Sequence, residues 1–304
     1  MARLEDTRTG RASPVLGPAF RRVGRLAAGL QRFGKTNTLS AAAGVLGVSL
    51  ILMAVAAPVI SPDDPLEPDF TNLRGSPSRD SPFGTDDIGR DVLSRVIHGA
   101  RISLFVAFVS VFIGTTGGFV WGLTSGYLGG RFDIVNQRVV EVLLAFPGLV
   151  LALALGMALG ASMWTVIVAI AVTRLAPAAR VIRSVVLSVK ETPYVDAAKG
   201  VGATPVRIMI FHVAPQCTAP YLIVFTASLG AAIITEASLS FLGVGIPPPA
   251  PTWGTILGEA SNLLTPFWWL VVFPGVFITV TVLAFNLFGD GVRDVLDPRL
   301  RGTR

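Results

Sequence analysis

Three long stretches of this chain contain no charged residue, and they limit its possible folds more than any other feature. Residues 36–62, 102–130 and 142–173 lack Asp, Glu, Lys and Arg. Each stretch is longer than the ~20 apolar residues that an α-helix needs to cross a bilayer. The stretches are continuously apolar, whereas a transmembrane β-barrel would show ~10-residue segments of alternating polarity. We therefore predict an all-α, polytopic membrane protein.

The composition agrees with this class, because the 304 residues are 52% hydrophobic and only 14% charged. An ordinary soluble domain carries about 25% charged residues. Hydropathy predicts six transmembrane helices, near residues 38–60, 103–127, 139–159, 162–184, 218–242 and 267–289. Pro147 falls inside the third helix and is expected to kink it. A short link at 160–162 predicts that the third and fourth helices form a hairpin.

The positions of Lys and Arg predict the orientation in the membrane. Eight of these side chains lie in the N-terminal tail, residues 1–37, and none lies in segment 243–266. Segment 61–102 has five, accompanied by eight Asp or Glu. Because basic loops tend to stay in the cytoplasm, we predict cytoplasmic tails at 1–37 and 290–304. The same rule makes 61–102 extracytoplasmic and leaves a core of five helices over 103–289.

A row of glycines follows the second predicted helix at intervals of four residues, namely Gly114, Gly118, Gly122, Gly126 and Gly130. In a helix these residues fall nearly in line on one face, where small residues let two backbones approach closely. The spacing favours tight packing inside one subunit. The alternative is a face that slides or lines a route through the membrane.

Segment 190–215, between the fourth and fifth predicted helices, is too long to lack structure of its own. Two Thr-Pro pairs, at 192–193 and 204–205, each place an N-cap Thr before a Pro at the first helical position. Asp196 suits the N-terminal end of a helix dipole, and Gly202 is expected to close the first helix. The second helix carries an apolar stripe of Val206, Met209, Ile210 and Val213. The segment therefore predicts a helix–glycine–helix unit on the cytoplasmic face.

This unit has three possible interpretations: a structured connector, a docking element for a cytoplasmic partner, or a DNA-binding helix-turn-helix. A recognition helix must be able to enter a DNA groove, but both ends of this unit are tied to membrane spans. We therefore expect no nucleic-acid partner, and the first two interpretations stay open.

The same segment resembles the EAA loop of binding-protein-dependent ATP-binding cassette (ABC) importer permeases. That family pattern has Glu-Ala-Ala, three residues, Gly, and an ending of hydrophobic-Leu-Pro. Asp196-Ala197-Ala198, Gly202 and Pro215 match its spacing without gaps. The chain departs from it by having Asp196 for Glu and Ala214 for Leu.

Further segments are similar to the dipeptide, oligopeptide and nickel branch of that family, and specifically to its second permease subunit. They cover about residues 30 to 300 in the family's order, as Phe83–Asp86 with Gly89–Arg95, Gly99–Leu104, Ala145–Pro147, Thr235–Gly243, and Gly289–Gly291 with Asp297-Pro298.

The resemblance implies a type I importer (MetI-like) permease fold in the bacterial plasma (inner) membrane. The chain would pair with a second homologous permease and receive di- or oligopeptides, or similar small solutes, from an extracytoplasmic substrate-binding protein. Two cytoplasmic ATPase subunits would hold ATP and Mg, so the chain itself would be no enzyme and would bind no cofactor. Coupling to the ATPases would centre on Tyr194, Asp196, Ala197, Ala198, Gly202, Arg207 and Pro215.

Two ionisable residues lie in the predicted helices themselves. Glu236 is the one acid in the fifth helix, and intramembrane acids are functional candidates because they are costly to keep. It is either a residue of the translocation pathway or a buried hydrogen-bond partner. Arg174 is expected near the cytoplasmic end of the fourth helix, where its side chain can reach the interface.

Other functional classes are weakly supported. Residues 29–36 match the P-loop pattern G-x-x-x-x-G-K-[ST], but a P-loop must follow a buried strand and open a helix of an α/β domain. Lys35 is better explained as an anchor for the first span. His98 and His212, the two histidines, lie far apart, so no metal site or catalytic triad is predicted. The remaining alternative is a self-sufficient secondary transporter or channel, which often carries ionisable relays in the membrane.

Overall fold

The described residues of this protein are mostly α-helical. A computed structural model describes residues 37–261, 263 and 267–296. The α-helices are α1 (Thr38–Val55), α2 (Ala57–Ile60), α3 (Val92–Leu128), α4 (Gly130–Ala145), α5 (Gly148–Leu159), α6 (Met163–Val189), α7 (Pro193–Gly200), α8 (Pro205–Ile208), α9 (Thr218–Phe241), α10 (Trp253–Ser261) and α11 (Trp268–Leu296). One π-helical turn (Met209–Val213) and one 3₁₀ turn (Ala214–Cys217) join α8 to α9.

The number of apolar helices confirms the predicted fold class. Five helical segments are long and apolar enough to cross a membrane, namely α1, α3, α6, residues 205–241 and α11. The pair α4 and α5 passes the same test together and would be a sixth span, bent by 92°. The described residues contain no strand beyond an isolated bridge between Thr85 and Asp91.

The bend lies at Phe146 and Pro147, as the sequence predicts. Both residues have extended backbone, with φ −91° and ψ 137° at Phe146 and φ −55° and ψ 129° at Pro147. Proline disfavours helical geometry in the residue before it, so α4 ends there. The predicted hairpin between α5 and α6 is also present, and Ser162 accepts a hydrogen bond from the Thr165 amide to cap α6.

Two helices are longer than their predicted spans. α3 begins at Val92, well before residue 103, because the Asp91 side chain caps it by accepting from the Ser94 amide at 2.7 Å. The fifth span is continuous with the second part of the helix–glycine–helix unit, from Pro205 onward. Hydropathy locates the apolar part of a helix and misses polar turns that extend beyond it.

The glycine row packs α3 against α6. A Cβ atom on Gly118 would lie 2.5 Å from the Leu175 carbonyl oxygen, and Gly114 and Gly122 also face the backbone of α6. The interpretation as packing within one subunit is therefore supported. Gly130 does not belong to the row, since α3 ends at Leu128 and Gly130 opens α4 with φ +58°.

The largest buried cluster surrounds Trp253, which is fully buried at the start of α10. Its indole Nε1 donates to the Val96 carbonyl oxygen at 3.0 Å, so the polar edge of the ring is satisfied. Side chains of α3, α6, α9 and α11 complete the cluster. This core holds the segment after α9 against the beginning of α3.

Candidate functional site

The helix α7 is terminated on both sides as its sequence predicts. Thr192 has extended backbone at the N-cap and Pro193 is the first helical residue. At the other end Gly202 has φ +80°, its amide donates to the Lys199 carbonyl, and the Ala203 amide donates to the Ala198 carbonyl. This pair of bonds is a Schellman motif, which needs a left-handed residue at the Gly202 position. The Thr192 hydroxyl does not cap the helix but donates back to the Val189 carbonyl.

One face of α7 is fixed to the ends of the long helices. Val195 and Ala198 are buried in a cluster that also contains Leu123, Ile182, Val186, Ile208, Val213 and Cys217. Outside this cluster, Lys190 Nζ donates to the Gly126 carbonyl at 3.1 Å, and the Tyr194 hydroxyl donates to the His212 carbonyl at 3.3 Å. A displacement of α7 must therefore be passed on to α3 and α6, because packed interiors deform little.

The opposite face of α7 is exposed and carries three of the seven predicted coupling residues. Tyr194, Asp196 and Ala197 are exposed, whereas Ala198 is buried. Lys199 Nζ donates to the Asp196 carboxylate at 2.9 Å, and this hydrogen bond raises the pKa of Lys199. Val201 is 84% exposed at the turn before α8.

The apolar stripe predicted for the second helix is partly wrong. Val206 and Ile210 are exposed, and the side chains that pack inward are Ile208, Val213 and Cys217. The π-helical turn over Met209–Val213 adds a residue to one turn and so rotates the following side chains out of a 3.6-residue period. Arg207 is exposed on α8, and Pro215 is exposed in the 3₁₀ turn that leads into α9.

Glu236 is enclosed by its own chain. The side chain is 0% exposed, and Oε1 accepts from the Ser240 hydroxyl at 2.9 Å. The hydroxyl groups of Ser103 and Thr252 also face this carboxyl group, while Oε2 makes no hydrogen bond within the normal distance to the described residues. This environment favours the hydrogen-bonding role over direct contact with a solute.

Arg174 is not near the cytoplasmic end of its helix, so that prediction is wrong. It lies near the middle of α6, and its Nη2 donates to the Ala231 carbonyl at 3.3 Å and to the Thr235 hydroxyl at 3.1 Å, both on α9. The side chain points across the bundle, where α9 offers two oxygen acceptors.

A network of ion pairs on the side opposite α7 was not predicted. Arg95, which is 1% exposed, donates to the Asp86 carboxylate, and its Nη1 lies 2.7 Å from Glu259 Oε2. Arg90 contacts the same two acids at 2.6 and 3.1 Å. The signal in the sequence was a pair of Arg residues at the start of a helix, close behind Asp86.

A second ion pair lies towards the end of the bundle that carries α7. The Arg183 guanidinium donates to both carboxylate oxygens of Asp133, at 2.7 and 2.5 Å, and Ser125 donates to the same group at 2.6 Å. The pair joins α4 to α6. An Arg at the end of an apolar helix and an Asp just after the glycine row gave a weak signal for this contact.

Residues 118–302, more than half of the chain, match the family described as binding-protein-dependent transport system inner membrane component. The chain belongs to this family. The permease is 38% identical over 267 residues to the oligopeptide transport system permease protein OppC of Bacillus subtilis, with 88% of each chain covered. It is 40% identical over 273 residues to the glutathione transport system permease protein GsiD of Escherichia coli, with 90% of each chain covered.

A putative peptide transport system permease protein of Brucella suis is 40% identical over 260 residues, which cover 84% of this permease and 88% of the relative. The fold matches a chain of the MetNI methionine ABC transporter with a TM-score of 0.54 at 20% identity, covering 67% of the permease and 97% of that chain. The type I importer permease fold is thus confirmed. The protein is a membrane-embedded permease subunit of an ABC importer, not an enzyme.

Some predictions concern residues outside the described part of the chain. The P-loop-like segment 29–36, most of both predicted tails and the Asp297-Pro298 motif lie in residues 1–36 and 297–304. Within the described residues, no group of three or more His, Cys, Asp or Glu side chains could hold a metal ion.

Proposed function

We propose that this permease forms half of the translocation pathway of an importer for di- or oligopeptides or similar small solutes. Relatives that are 38–40% identical over most of their length carry peptide, oligopeptide and glutathione transport in their names, which supports this class of cargo. The complete importer would contain a second homologous permease, two ATPases that bind ATP and Mg, and an extracytoplasmic binding protein. This chain would bind no nucleotide itself.

The observation that carries the proposal is the position of α7, exposed on one face and locked to the core on the other. Val195 and Ala198 join it to the ends of α3 and α6, while Tyr194, Ala197 and Val201 remain accessible. An exposed apolar group on a capped helix suits a docking surface for another protein. A displacement of α7 by a bound ATPase would be transmitted to α3 and α6 through these contacts. Alternating access requires rigid helices that rock against one another.

The proposed orientation places α7 and both tails in the cytoplasm and residues 61–102 and 243–266 outside. The basic N-terminal tail supports it. In this orientation the ion pairs of Arg95 with Asp86 and Glu259 lie on the outer side. They hold the two outer segments together, where the binding protein would deliver its solute.

A matched pair of substitutions tests the docking surface. Val201 and Val59 are equally exposed, at 84% and 86%, but Val59 lies in α2. Burying a valine on docking is worth roughly 1.5 kcal/mol or more, so Val201→Ser should weaken ATPase binding by about tenfold. Val59→Ser should leave binding unchanged.

The measurement is the affinity of the purified permease pair for the ATPase subunits in nanodiscs, together with peptide uptake into proteoliposomes. Equal affinities for the two variants would refute docking at Val201. Uptake by the permeases without ATPases would refute the importer mechanism and favour a self-sufficient transporter. Accessibility of a cysteine at position 201 to an impermeant reagent in inverted but not in intact vesicles tests the orientation.

A further inference from the structure

Arg174 lies near the middle of α6, far from both ends of the helix. At 1.5 Å per residue it is roughly 16 Å from Met163 and roughly 22 Å from Val189 along the helix axis. A charge at this depth is costly unless it meets a counter-charge, backbone carbonyls or a water-filled cavity. Intramembrane cations that persist in such places commonly serve a solute pathway.

The chain does not neutralise this charge. The ion pairs of the described residues do not include Arg174. Its Nη2 donates to two neutral oxygens, those of Ala231 and Thr235, and the buried Nε has no partner among the described residues. A guanidinium offers five N–H donors, so most of its capacity is unused. An anion from outside the chain would complete the site.

Arg174 is one of the residues that line a cavity at the break between α4 and α5. The cavity has a volume of about 210 Å³ and is bordered by Phe146, Gly148, Leu149, Thr173 and Pro177. Since one water takes up roughly 30 Å³, this space accommodates the end of a small solute. The walls are otherwise largely apolar, which strengthens the attraction of any anion to Arg174.

The first turn of α5 adds positive potential at the same place. Pro147 is the N-cap and provides no side-chain hydrogen bond, so the amides of Gly148 and Leu149 have no partner within the helix. The positive end of the helix dipole lies there. Discontinuous helices in transporters bind anionic groups of substrates in this manner.

We propose that Arg174, together with the first turn of α5, binds the carboxylate of the solute while it crosses the membrane. The inference rests on the proposed function, because peptides with a free C-terminus carry such a carboxylate. It assigns to this permease one specific contribution to the pathway, a mid-membrane carboxylate site. The fully enclosed Glu236 is not part of it.

The test uses the complete importer in proteoliposomes, with binding protein at saturation. The probes are a tripeptide with a free C-terminal carboxylate and its C-terminal amide, chosen as a pair that the binding protein accepts. The measured quantity is peptide transported per ATP hydrolysed. The variants are Arg174→Gln, Arg174→Lys and, as a matched control on the same helix, Arg180→Gln, whose side chain is exposed.

We expect Arg174→Gln to lower transport of the acid by about tenfold or more, since hydrogen bonds between charged groups are the stronger ones in proteins. Transport of the amide should change by less than about twofold, because the amide has no carboxylate for Arg174 to bind. Arg174→Lys should retain much of the preference for the acid, and Arg180→Gln should behave as wild type. An equal loss for acid and amide would mean that Arg174 only supports the structure and would overturn the proposal.

The wild-type importer provides a second test that involves no substitution. It should transport the acid faster than the amide, and equal rates would also overturn the carboxylate site. If the wild-type complex moves neither peptide, or moves them without ATP, the proposed function fails instead. The two kinds of failure are therefore distinguishable.

Discussion

Arg95 Nη1 lies 2.7 Å from Glu259 Oε2, and this contact joins the first turns of α3 to α10. The same nitrogen donates to Asp86, so one buried guanidinium connects a loop, the long helix α3 and the short helix α10. The side chain of Arg95 is 1% exposed, and that of Asp86 is 4% exposed. The network therefore differs from surface ion pairs, which contribute little to stability.

Replacement of Arg95 by Met should destabilise the permease strongly. The substitution leaves Asp86 buried with one cation, Arg90, and removing one partner of a buried pair costs about 3–5 kcal/mol. The midpoint of thermal unfolding in detergent checks this. The control is Arg138→Met, because the Arg138–Glu141 pair has side chains that are 77% and 51% exposed. A decrease of equal size in both variants would contradict a structural role for the network.

Gly118→Ala should destabilise the protein more than Gly117→Ala. A Cβ atom at 118 would lie 2.5 Å from the Leu175 carbonyl oxygen and 2.6 Å from Ala178 Cβ, whereas at 117 the nearest atom is Leu175 Cδ1 at 3.5 Å. Both changes gain the same helix propensity, so the difference isolates overpacking, which costs about 1–3 kcal/mol. Denaturant titration of the two variants measures it. Equal stability would mean that α3 and α6 are not in close contact.

Gly202→Ala should loosen the end of α7, whereas Gly200→Ala should not. Neither position has an atom within 4 Å of an added Cβ, but Gly202 has φ +80° and Gly200 is helical. The cost at 202 is therefore conformational only, about 1–2 kcal/mol. Amide hydrogen exchange across residues 195–203 should accelerate by roughly five- to thirtyfold in Gly202→Ala. Unchanged exchange would contradict the Schellman motif.

The local features of this chain could be predicted from its sequence, and the long-range ones could not. The ends of α7 depend on Pro193 and Gly202, and the bend at Pro147 depends on one residue and its neighbour, so these predictions are confirmed, whereas the predicted side-chain cap by Thr192 does not form. The start of α3 was missed because its first turns are polar, and Arg95 is acceptable there through Asp86 and through Glu259, which is far away in the sequence. Hydropathy gives no information about such a partner.

The same distinction explains the errors at α8 and Arg174. The π-helical turn over Met209–Val213 rotates Ile210 outward, and nothing in the local pattern indicates it. Arg174 is accommodated in the middle of α6 because α9 provides hydrogen-bond acceptors for it. The sequence of α6 alone does not reveal these acceptors. In the candidate site, the helix–glycine–helix unit was therefore predicted in outline, while the cavity at the helix break was not.

Glu236→Gln should preserve both stability and transport if Glu236 is a hydrogen-bond partner. The amide oxygen of Gln can still accept from the Ser240 hydroxyl, which now lies 2.9 Å from Oε1, and the amide nitrogen can donate to the oxygens of Ser103 or Thr252. Glu236→Ala removes the acceptor in a site with 0% exposure, and the unsatisfied hydroxyl groups should cost about 1–3 kcal/mol. Thermal unfolding and peptide uptake are measured on both variants. If Gln abolished uptake while the unfolding midpoint stayed at the wild-type value, the charge itself would be needed, and Glu236 would return as a residue of the pathway.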